Sequence, residues 1–307
     1  MKAVRATFSL IMLSAACGCS GSSPWREVKS FENIYSLNDL WVFGPDNVWV
    51  VGQNVYRFDG TDWIQQPTGS YSGFTAIWGF APDDLWLAGG HTLLHWDGSD
   101  WTATDLQAQG LQDATAIWGL APDRLWIVGD SAVVLRWNGS TWTRTQTPCS
   151  SNASIFGFSE SDIWTQGTFG TCHFDGSTWE EVELDVWGGD GDVFGFSGND
   201  VWVVAESEEA AHWDGAQWRI FENRDFVGEL SDLWGARSDD IWGVGIPGAI
   251  AHFDGKGWDE VTHQTIGSPY LRMFKAVHGS SSTDVWAVGT EMGANRNCAL
   301  VYRYQSE

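Results

Sequence analysis

A unit of about 40 residues repeats along the chain and limits the folds that it can adopt. In residues 76–101 the unit is AIWGFAPDDLWLAGGHTLLHWDGSDW, four short apolar or alternating runs separated by turn residues. An apolar residue followed by Trp marks the second run of every unit, at Trp49, Trp86, Trp126, Trp164, Trp202, Trp242 and Trp286. Four strand-length runs at this period are typical of β-propeller blades, so we predict an all-β, seven-bladed propeller of four-stranded blades.

A second series of Trp residues indicates how the ring closes. It opens the fourth run of each unit, at Trp25, Trp63, Trp101, Trp142, Trp179, Trp218 and Trp258. This series starts before the first unit and stops before the last one, whose end near residue 304 resembles a third strand with no fourth. We therefore predict that the N-terminal strand, residues 25–30, completes the blade that begins near residue 271. Such closure removes sheet edges that would otherwise pair with other chains.

Most of the repeated side chains are predicted to be structural. Of the 22 Trp residues, 21 recur at repeat positions, and we assign them to packing between blades. An Asp such as Asp84 precedes most of the apolar–Trp pairs, where we expect it to bond its own backbone in a tight turn. The third runs end in His or Arg plus an aromatic residue, usually followed by Asp-Gly or Asn-Gly, a strong hairpin signal. One such His or Arg per blade cannot converge on a metal.

The first residues have the pattern of a targeting segment. Lys2 and Arg5 precede a mostly apolar run, residues 6–16, that is too short to span a bilayer. The run ends in Ser-Ala-Ala-Cys17-Gly-Cys19, and a polar stretch follows up to Pro24. We predict a signal peptide over residues 1–16, a flexible tether over residues 17–24 and the propeller over residues 25–307.

This N-terminal pattern resembles a bacterial lipoprotein signal, in which the Cys becomes the lipidated first residue. The resemblance implies lipidation of Cys17, with Cys19 as the alternative, and an exported protein that is lipid-anchored at the cell envelope. Outer-membrane attachment on the periplasmic or the surface side, and plain secretion without lipid, stay open.

Two motifs carry a resemblance to known propellers. The D-G-x-x-W turns resemble the Asp-box S-x-D-x-G-x-x-W of bacterial neuraminidase-type propellers, although this chain lacks the residue between Asp and Gly. Units of the type W-G-x4-D-V-W-x-V-G are similar to those of Trp-rich propeller lipoproteins from bacteria, over about residues 25–307. The resemblance implies the architecture and no particular ligand.

The charge balance restricts the partners. With 16 Lys and Arg against 40 Asp and Glu, the net charge is −24. Nucleic acid and anionic membrane surfaces are poor partners for such a chain, so we expect contact with the membrane only through the lipid. We expect a monomer.

The remaining cysteines suit an exported protein. Cys149 and Cys172 fall at the start and in the third strand of one predicted blade, so a disulfide between them is feasible without being required. Cys298 would then be left over, and we expect it to be buried.

Binding residues are expected on one face of the ring. The loops between second and third strands and the connections between blades share a face and vary in sequence, and we name it the variable-loop face. Function tends to reside in such loops on a rigid scaffold. Residues 289–297 are interpreted as an inserted loop there, and Trp187 is the one Trp outside the repeat. The ligand-binding candidates are Trp187, Tyr71, Phe226, Tyr270, Glu206 and Glu208.

Catalysis and cofactors have little support in the sequence. It contains no nucleophile elbow, phosphate loop, H-E-x-x-H or C-x-x-C motif, so we predict no enzyme, no cofactor and no metal. Calcium at the channel mouth stays an alternative because Asp39, Asp190, Asp192 and Asp232 approach the inner strands, although a solvated acidic rim is the simpler interpretation.

The function predicted from the sequence is that of a non-catalytic binding module or scaffold at the cell envelope, which recognises a protein or a polysaccharide through the variable-loop face. The alternative is a glycoside hydrolase or sialidase-like enzyme, which a deep pocket with converging carboxylates would favour. A sialidase-like site needs converging arginines, and the recurring Arg57, Arg136 and Arg303 occupy equivalent outer positions in separate blades.

Overall fold

Seven four-stranded antiparallel sheets form the blades of a β-propeller in the computed structural model, which describes residues 23–69, 71–184, 191–205, 209–222, 228–262, 270–293 and 296–305. Blades 1 to 3 are β2–β5 (Leu37–Gly44, Asn47–Gly52, Val55–Phe58, Trp63–Gln65), β6–β9 (Ala76–Ala81, Asp84–Gly89, Thr92–Trp96, Trp101–Asp105) and β10–β13 (Ala114–Ala121, Arg124–Gly129, Ser131–Trp137, Trp142–Gln146). Blades 4 to 6 are β14–β17 (Asn152–Ser159, Asp162–Gly167, Gly170–Phe174, Trp179–Val182), β18–β21 (Asp192–Ser197, Asp200–Val204, Glu209–Trp213, Trp218–Glu222) and β22–β25 (Glu229–Arg237, Asp240–Ile246, Ile250–Phe253, Trp258–Thr262). Blade 7 combines β26–β28 (Tyr270–Ser281, Asp284–Gly293, Arg296–Tyr304) with β1 (Trp25–Glu32). The predicted seven-bladed architecture is confirmed.

The ring is closed by β1, as the offset between the two Trp series predicts. β1 pairs antiparallel with β28, from Trp25 opposite Tyr304 to Glu32 opposite Cys298. The Trp25 ring lies 5.2 Å from the Trp242 ring of blade 6, and Phe31 stacks on Tyr56 of blade 1 at 4.3 Å. The two ends of the chain therefore share one sheet, and β1 packs against both neighbouring blades.

The second strand of each blade is buried along most of its length because its sheet packs between two others, whereas the fourth strands are largely exposed. The buried clusters combine residues of adjacent blades, so the core is a set of interblade layers rather than one central core. The Trp of every second strand is buried in such a layer. Each of these buried Trp residues thus contributes to the packing between blades about 4–6 kcal/mol for burial of 150–250 Å², as an upper bound.

The D-G-x-x-W turns join third and fourth strands through one carboxylate. In blade 2, Asp97 Oδ1 accepts bonds from the Ser99 and Asp100 backbone N–H groups, at 2.9 and 2.8 Å, and from the Ser99 hydroxyl. These bonds lower the Asp97 pKa to about 2. Gly98 has φ of +91°, which a residue with a side chain rarely adopts. In blade 3 Asn138 makes the same backbone bonds, so the turn needs the oxygen and not its charge.

In four blades the Asp before the apolar–Trp pair has a different role from the one expected. Asp84 Oδ1 bonds His95 Nε2 on the neighbouring strand at 2.8 Å, and the His95 ring stacks on Trp86 at 4.0 Å. The same arrangement joins Asp162 to His173, Asp200 to His212 and Asp240 to His252. The Asp therefore orients a cross-strand His over the buried Trp, instead of closing its own turn.

Blades without this His use Arg. Arg57 bonds Asn47 at 2.9 Å, and Arg303 bonds Asp284 at 3.0 Å. In blade 3, where Arg124 replaces the acid, Arg136 instead pairs with Glu160 of the next blade. These guanidinium groups lie over the Trp rings of their blades, so the predicted structural role of the third-strand His and Arg agrees with the geometry.

The interpretation of residues 289–297 as an inserted loop was wrong. β27 continues to Gly293 and β28 begins at Arg296, so most of the stretch is a paired hairpin. Gly289 is a strand residue whose Cβ would lie 2.1 Å from the Met273 carbonyl oxygen. The glycine at this position permits close approach of β26 rather than a loop. Blade 7 thus has longer strands than the other blades, with 12 residues in β26 and 10 in β27.

Cysteine pairing is present in blade 4. Cys149 and Cys172 form a disulfide with an S–S distance of 2.05 Å, which fastens the connection before β14 to β16. Cys298 is a buried thiol in β28. Among the described residues, no helix is long and apolar enough to cross a membrane.

Candidate functional site

The inner strands of the seven blades surround a channel, and its half nearest the variable-loop face is an open cavity of about 430 Å³. Its walls are residues near the start of the inner strands, such as residues 38–41 of β2 and 231–234 of β22, and residues 275–278 within the longer β26. Because the inner strands begin at the connections between blades, the cavity opens among the variable loops.

Aromatic side chains form the inner end of the cavity. The residue before the repeated Gly of each inner strand lies there, and the ring contacts run from Trp78 to Trp41 at 4.6 Å, from Trp41 to His278 at 4.4 Å and from His278 to Trp234 at 5.8 Å. His278 Nδ1 accepts the Val42 N–H at 3.3 Å, and burial lowers the His278 pKa to about 3. His278 is therefore neutral at physiological pH and completes the aromatic ring without adding charge.

Three carboxyl groups converge in the cavity, two residues before this aromatic position. Asp39 Oδ2 accepts the Ile77 N–H at 2.8 Å, and Asp232 Oδ2 accepts the Val277 N–H at 2.6 Å. Each bond joins a blade to the next one. Asp192 does the same for Leu233 at 3.2 Å. These acids fasten the inner strands of successive blades to each other, an interblade role that differs from the solvated rim expected from the sequence.

The interblade hydrogen bonds that these acids accept are unevenly distributed around the ring. In blade 4 the equivalent residue is Ser154, which accepts the Val193 N–H and donates its own hydroxyl to Asp192. In blades 2, 3 and 7 it is alanine, at positions 76, 116 and 276. Acidity is therefore confined to one side of the cavity, around Asp39, Asp192 and Asp232, although the repeat itself is regular.

Burial changes the protonation of these acids. It raises the Asp39 pKa to about 7 and the Asp192 pKa to about 6. The pKa of Asp232 is also raised well above its ordinary value, by burial and by the charges of Asp192 and Asp39. This shift favours the protonated form of Asp232, which can donate a hydrogen bond to the Asp192 carboxylate.

Replacement of Asp232 by Asn should raise stability in a pH-dependent way. A raised folded-state pKa means that the native state binds more protons than the unfolded state above pH 3.8, so wild-type stability falls as pH rises. An amide at position 232 can keep both hydrogen bonds and does not titrate. We expect Tm of Asp232→Asn to exceed the wild-type Tm by a margin that grows from pH 5 to pH 8, because only the wild-type native state loses stability as its buried carboxyl is driven to ionise.

Thermal unfolding across this pH range checks the prediction, with Asp97→Asn as the matched control. The Asp97 pKa lies below the range, at about 2, so the effect of that substitution should be constant from pH 5 to pH 8. A Tm difference for Asp232→Asn that stays flat with pH would show that Asp232 is ionised in the native state.

Asp192 and Asp232 do not have the separation of a glycosidase pair. Retaining and inverting enzymes hold their two carboxyls about 5 to 10 Å apart to admit the sugar or a water. Asp192 and Asp232 share a hydrogen bond and are thus in direct contact. Among the described residues, no group of three or more His, Cys, Asp or Glu side chains is placed to hold a metal ion.

One cation lies in the same cavity. Lys275 of β26 lines the wall and is half-buried, and within the described parts of the chain no carboxylate approaches its ammonium within ion-pair distance. The Ser231 hydroxyl, also in the wall, is buried without a hydrogen-bond partner among the described residues. The cavity therefore offers an aromatic end, three acids, one amine and an unsatisfied hydroxyl to a ligand.

Exposed apolar side chains concentrate on the variable-loop face. Nine large ones are exposed in the described part of the chain, and five of them lie on this face: Tyr35, Tyr71, Phe169, Leu271 and Met292. Leu120 lies at the opposite face, and Val28, Ile64 and Ile220 lie on outer strands. Concentration of apolar area on one face is typical of an interaction surface.

Several candidates from the sequence lie outside the described residues. These are Trp187, Phe226, Glu206, Glu208, Asp190 and both lipidation candidates, Cys17 and Cys19. Tyr270 is the first residue of β26, and Tyr71 is exposed in the connection between blades 1 and 2. Tyr35 and Phe169 were not predicted. Each is a single aromatic residue in a short connection, where the sequence has no repeat pattern against which an unusual residue would stand out.

Comparisons with known proteins relate this chain to propellers by structure alone. No known family's sequence pattern matches it, and no curated protein matches it. Among solved structures, "YCF48 bound to D1 peptide" has 15% identity and a TM-score of 0.71, covering 94% of this chain and 98% of that one. YCF48 from Cyanidioschyzon merolae has 13% identity and a TM-score of 0.69, covering 92% and 98%.

A third similar structure is an extracellular domain. That of the putative one component system BT4673 from B. thetaiotaomicron has 13% identity and a TM-score of 0.71, covering 91% of this chain and 40% of that one. At such identities the likeness establishes the propeller fold and does not transfer a function.

Proposed function

We propose that this propeller is a non-catalytic binding module that holds a protein partner on its variable-loop face. The observation that carries the proposal is the concentration of exposed apolar side chains on that face, around the mouth of the channel cavity. Aromatic and Met residues around a pocket are typical of protein interfaces, and the rigid ring would present them with little loss of conformational entropy.

A protein partner fits this face better than a polysaccharide. Tyr35, Tyr71 and Phe169 belong to three different connections, whereas a sugar is usually bound by neighbouring aromatic rings of one platform. Scattered apolar side chains over a broad face suit a partner that covers the face. The structural similarity to YCF48, which has been solved with a D1 peptide, supports the proposal that this propeller also binds a segment of a protein.

Site-specific photocrosslinking in the producing cells tests the proposal. A photoreactive phenylalanine analogue at Tyr71 or Phe169 should give a discrete protein adduct, and the same analogue at Leu120 on the opposite face should give none. Adducts of equal yield at all three positions, or none at any, would contradict a partner on the variable-loop face. Binding of the purified domain to a panel of polysaccharides would instead favour the glycan alternative.

The proposed location is the bacterial cell envelope, with the lipid on Cys17 as anchor. The support is the N-terminal pattern of two basic residues, an apolar run and small residues before Cys17. Cys17→Ser should move the protein from the membrane to the soluble fraction and remove labelling by a radiolabelled fatty acid. Cys19→Ser is the matched control, and loss of the label in that variant alone would place the lipid on Cys19.

A further inference from the structure

The long strands β26 and β27 of blade 7 present exposed apolar side chains near the connection to blade 1. Leu271 of β26 lies opposite Met292 of β27, and each is 41% exposed. Met273 and Thr290 form the pair two residues along, so they lie on the same side of the sheet.

That side of the sheet faces the connection from blade 7 to blade 1. The Thr290 hydroxyl donates to the Tyr35 carbonyl at 3.2 Å, and the Tyr35 side chain is 63% exposed. Leu271 and Met292 are exposed on the side of the sheet whose Thr290 bonds the Tyr35 backbone, and we name these two side chains together with the exposed Tyr35 the apolar shelf. On the other side of the sheet Arg272 pairs with Glu291, which keeps the shelf itself free of charge.

The apolar shelf continues into the channel cavity along β26. Leu271 lies on the shelf, and Lys275, four residues later, lines the cavity. At about 3.3 Å per residue this separation is roughly 13 Å, which an extended peptide spans with about four residues. One short segment can therefore contact both features.

The charges of the cavity select the group that enters it. Asp39, Asp192 and Asp232 face it, and Asp39 and Asp192 gain negative charge as pH rises from 6 to 8; among the described residues the wall has one ammonium, that of Lys275, and His278 is neutral. The unsatisfied Ser231 hydroxyl adds an acceptor, and the Trp41 and Trp234 rings add the aromatic faces that attract cations. The chain as a whole carries a net charge of −24, so the long-range field also favours a basic segment.

We propose that the apolar shelf and the cavity together bind an extended segment of a partner protein, with an apolar side chain on the shelf and a Lys or Arg about four residues away in the cavity. This inference rests on the proposed function and specifies the chemistry of the partner. Entry of the cation would favour ionised Asp39 and Asp192, so binding would release protons and tighten as pH rises from 6 to 8.

Selection from a displayed library of random dodecapeptides, on the chain that begins at Ser23, tests the inference. That chain contains every strand of the closed ring. We expect selected peptides to combine an apolar residue with Lys or Arg three to five positions away. Fluorescence anisotropy of a labelled selected peptide then gives Kd, and replacement of its basic residue by Gln should weaken binding about tenfold or more.

Two variants of the protein separate the shelf from the cavity. The double variant Leu271→Ser, Met292→Ser should weaken binding about tenfold, whereas Leu120→Ser, the matched exposed apolar residue on the opposite face, should change Kd less than about twofold. Lys275→Ala removes a like charge from the cavity and should tighten binding about fivefold. Weaker binding by Lys275→Ala would show that the cavity holds an anion and would overturn the proposal.

The remaining outcomes distinguish this inference from the proposed function. Selected peptides whose binding depends on Tyr71 or Phe169, and not on the shelf, would leave a protein-binding variable-loop face and overturn the proposed apolar–basic segment. Selection of acidic peptides, or of none, would overturn it as well. The photocrosslinking result would then decide separately whether the face binds a protein at all.

Discussion

A chain that begins at Asn33, and therefore lacks β1, is expected not to form a stable propeller. The deletion removes the fourth strand of blade 7 and exposes the β28 edge to solvent. It also removes Trp25 and Phe31, both buried against neighbouring blades. Burial of two aromatic side chains contributes about 8–12 kcal/mol as an upper bound, comparable with the roughly 5–15 kcal/mol stability of a whole domain.

Circular dichroism melting of the purified chains checks this expectation. The chain that begins at Ser23 is the control, and it should keep a cooperative transition because Ser23 and Pro24 still bond Trp25 and Gln305. A peptide of residues 23–32 added to the shortened chain should restore part of the transition. If the chain from Asn33 melts at the same temperature as the control, the ring does not depend on β1.

Replacement of Trp202 by Ala should strongly destabilise the contact between blades 5 and 6. The Trp202 side chain is fully buried and contacts the rings of His212 and Phe221 in its own blade and of Phe253 and Trp258 in the next one. The substitution leaves a cavity between the two blades and should cost about 3–5 kcal/mol in unfolding free energy. Tm should fall by on the order of 10 °C, given the size of the domain.

A matched Trp in a less enclosed position is the control for Trp202. Trp179 opens the fourth strand of blade 4, is only half-buried and contacts the Phe174 ring at 5.2 Å. Trp179→Ala should therefore lower the unfolding free energy by less than half as much, measured by denaturant unfolding. Equal losses for the two variants would mean that the interblade layer around Trp202 relaxes and closes the cavity.

The sequence by itself determined the architecture and the closure of the ring. Both depend on features that are local along the chain: strand-length runs, D-G turns and the Trp positions, repeated at a period near 40 residues. The offset between the two Trp series was sufficient to place β1 beside β28, because a missing fourth strand at one end matched a surplus one at the other. The orientation of the variable-loop face followed from strand alternation alone.

The pairing of Asp with His across second and third strands was also accessible in the sequence, although it was not predicted. Asp84 and His95 have counterparts in three other blades, with the Asp and the His 11 or 12 residues apart. Two polar residue types that recur together at nearly constant separation within a repeat indicate contact. The Asp was expected to close a turn instead, because it also directly follows one.

Only the tertiary structure decided the composition of the channel and the apolar shelf. Asp39 accepts a hydrogen bond from Ile77 and Asp232 accepts one from Val277, each about 40 residues away in the next blade. No local feature of the sequence fixes how two neighbouring inner strands are aligned along the channel. The length of β26 and β27 could not be predicted for the same reason. In the sequence Gly289 resembles a loop residue, and only the structure shows that the Met273 backbone lies against it. Packing between blades brings these residues together, and such packing depends on side chains from two sheets at once.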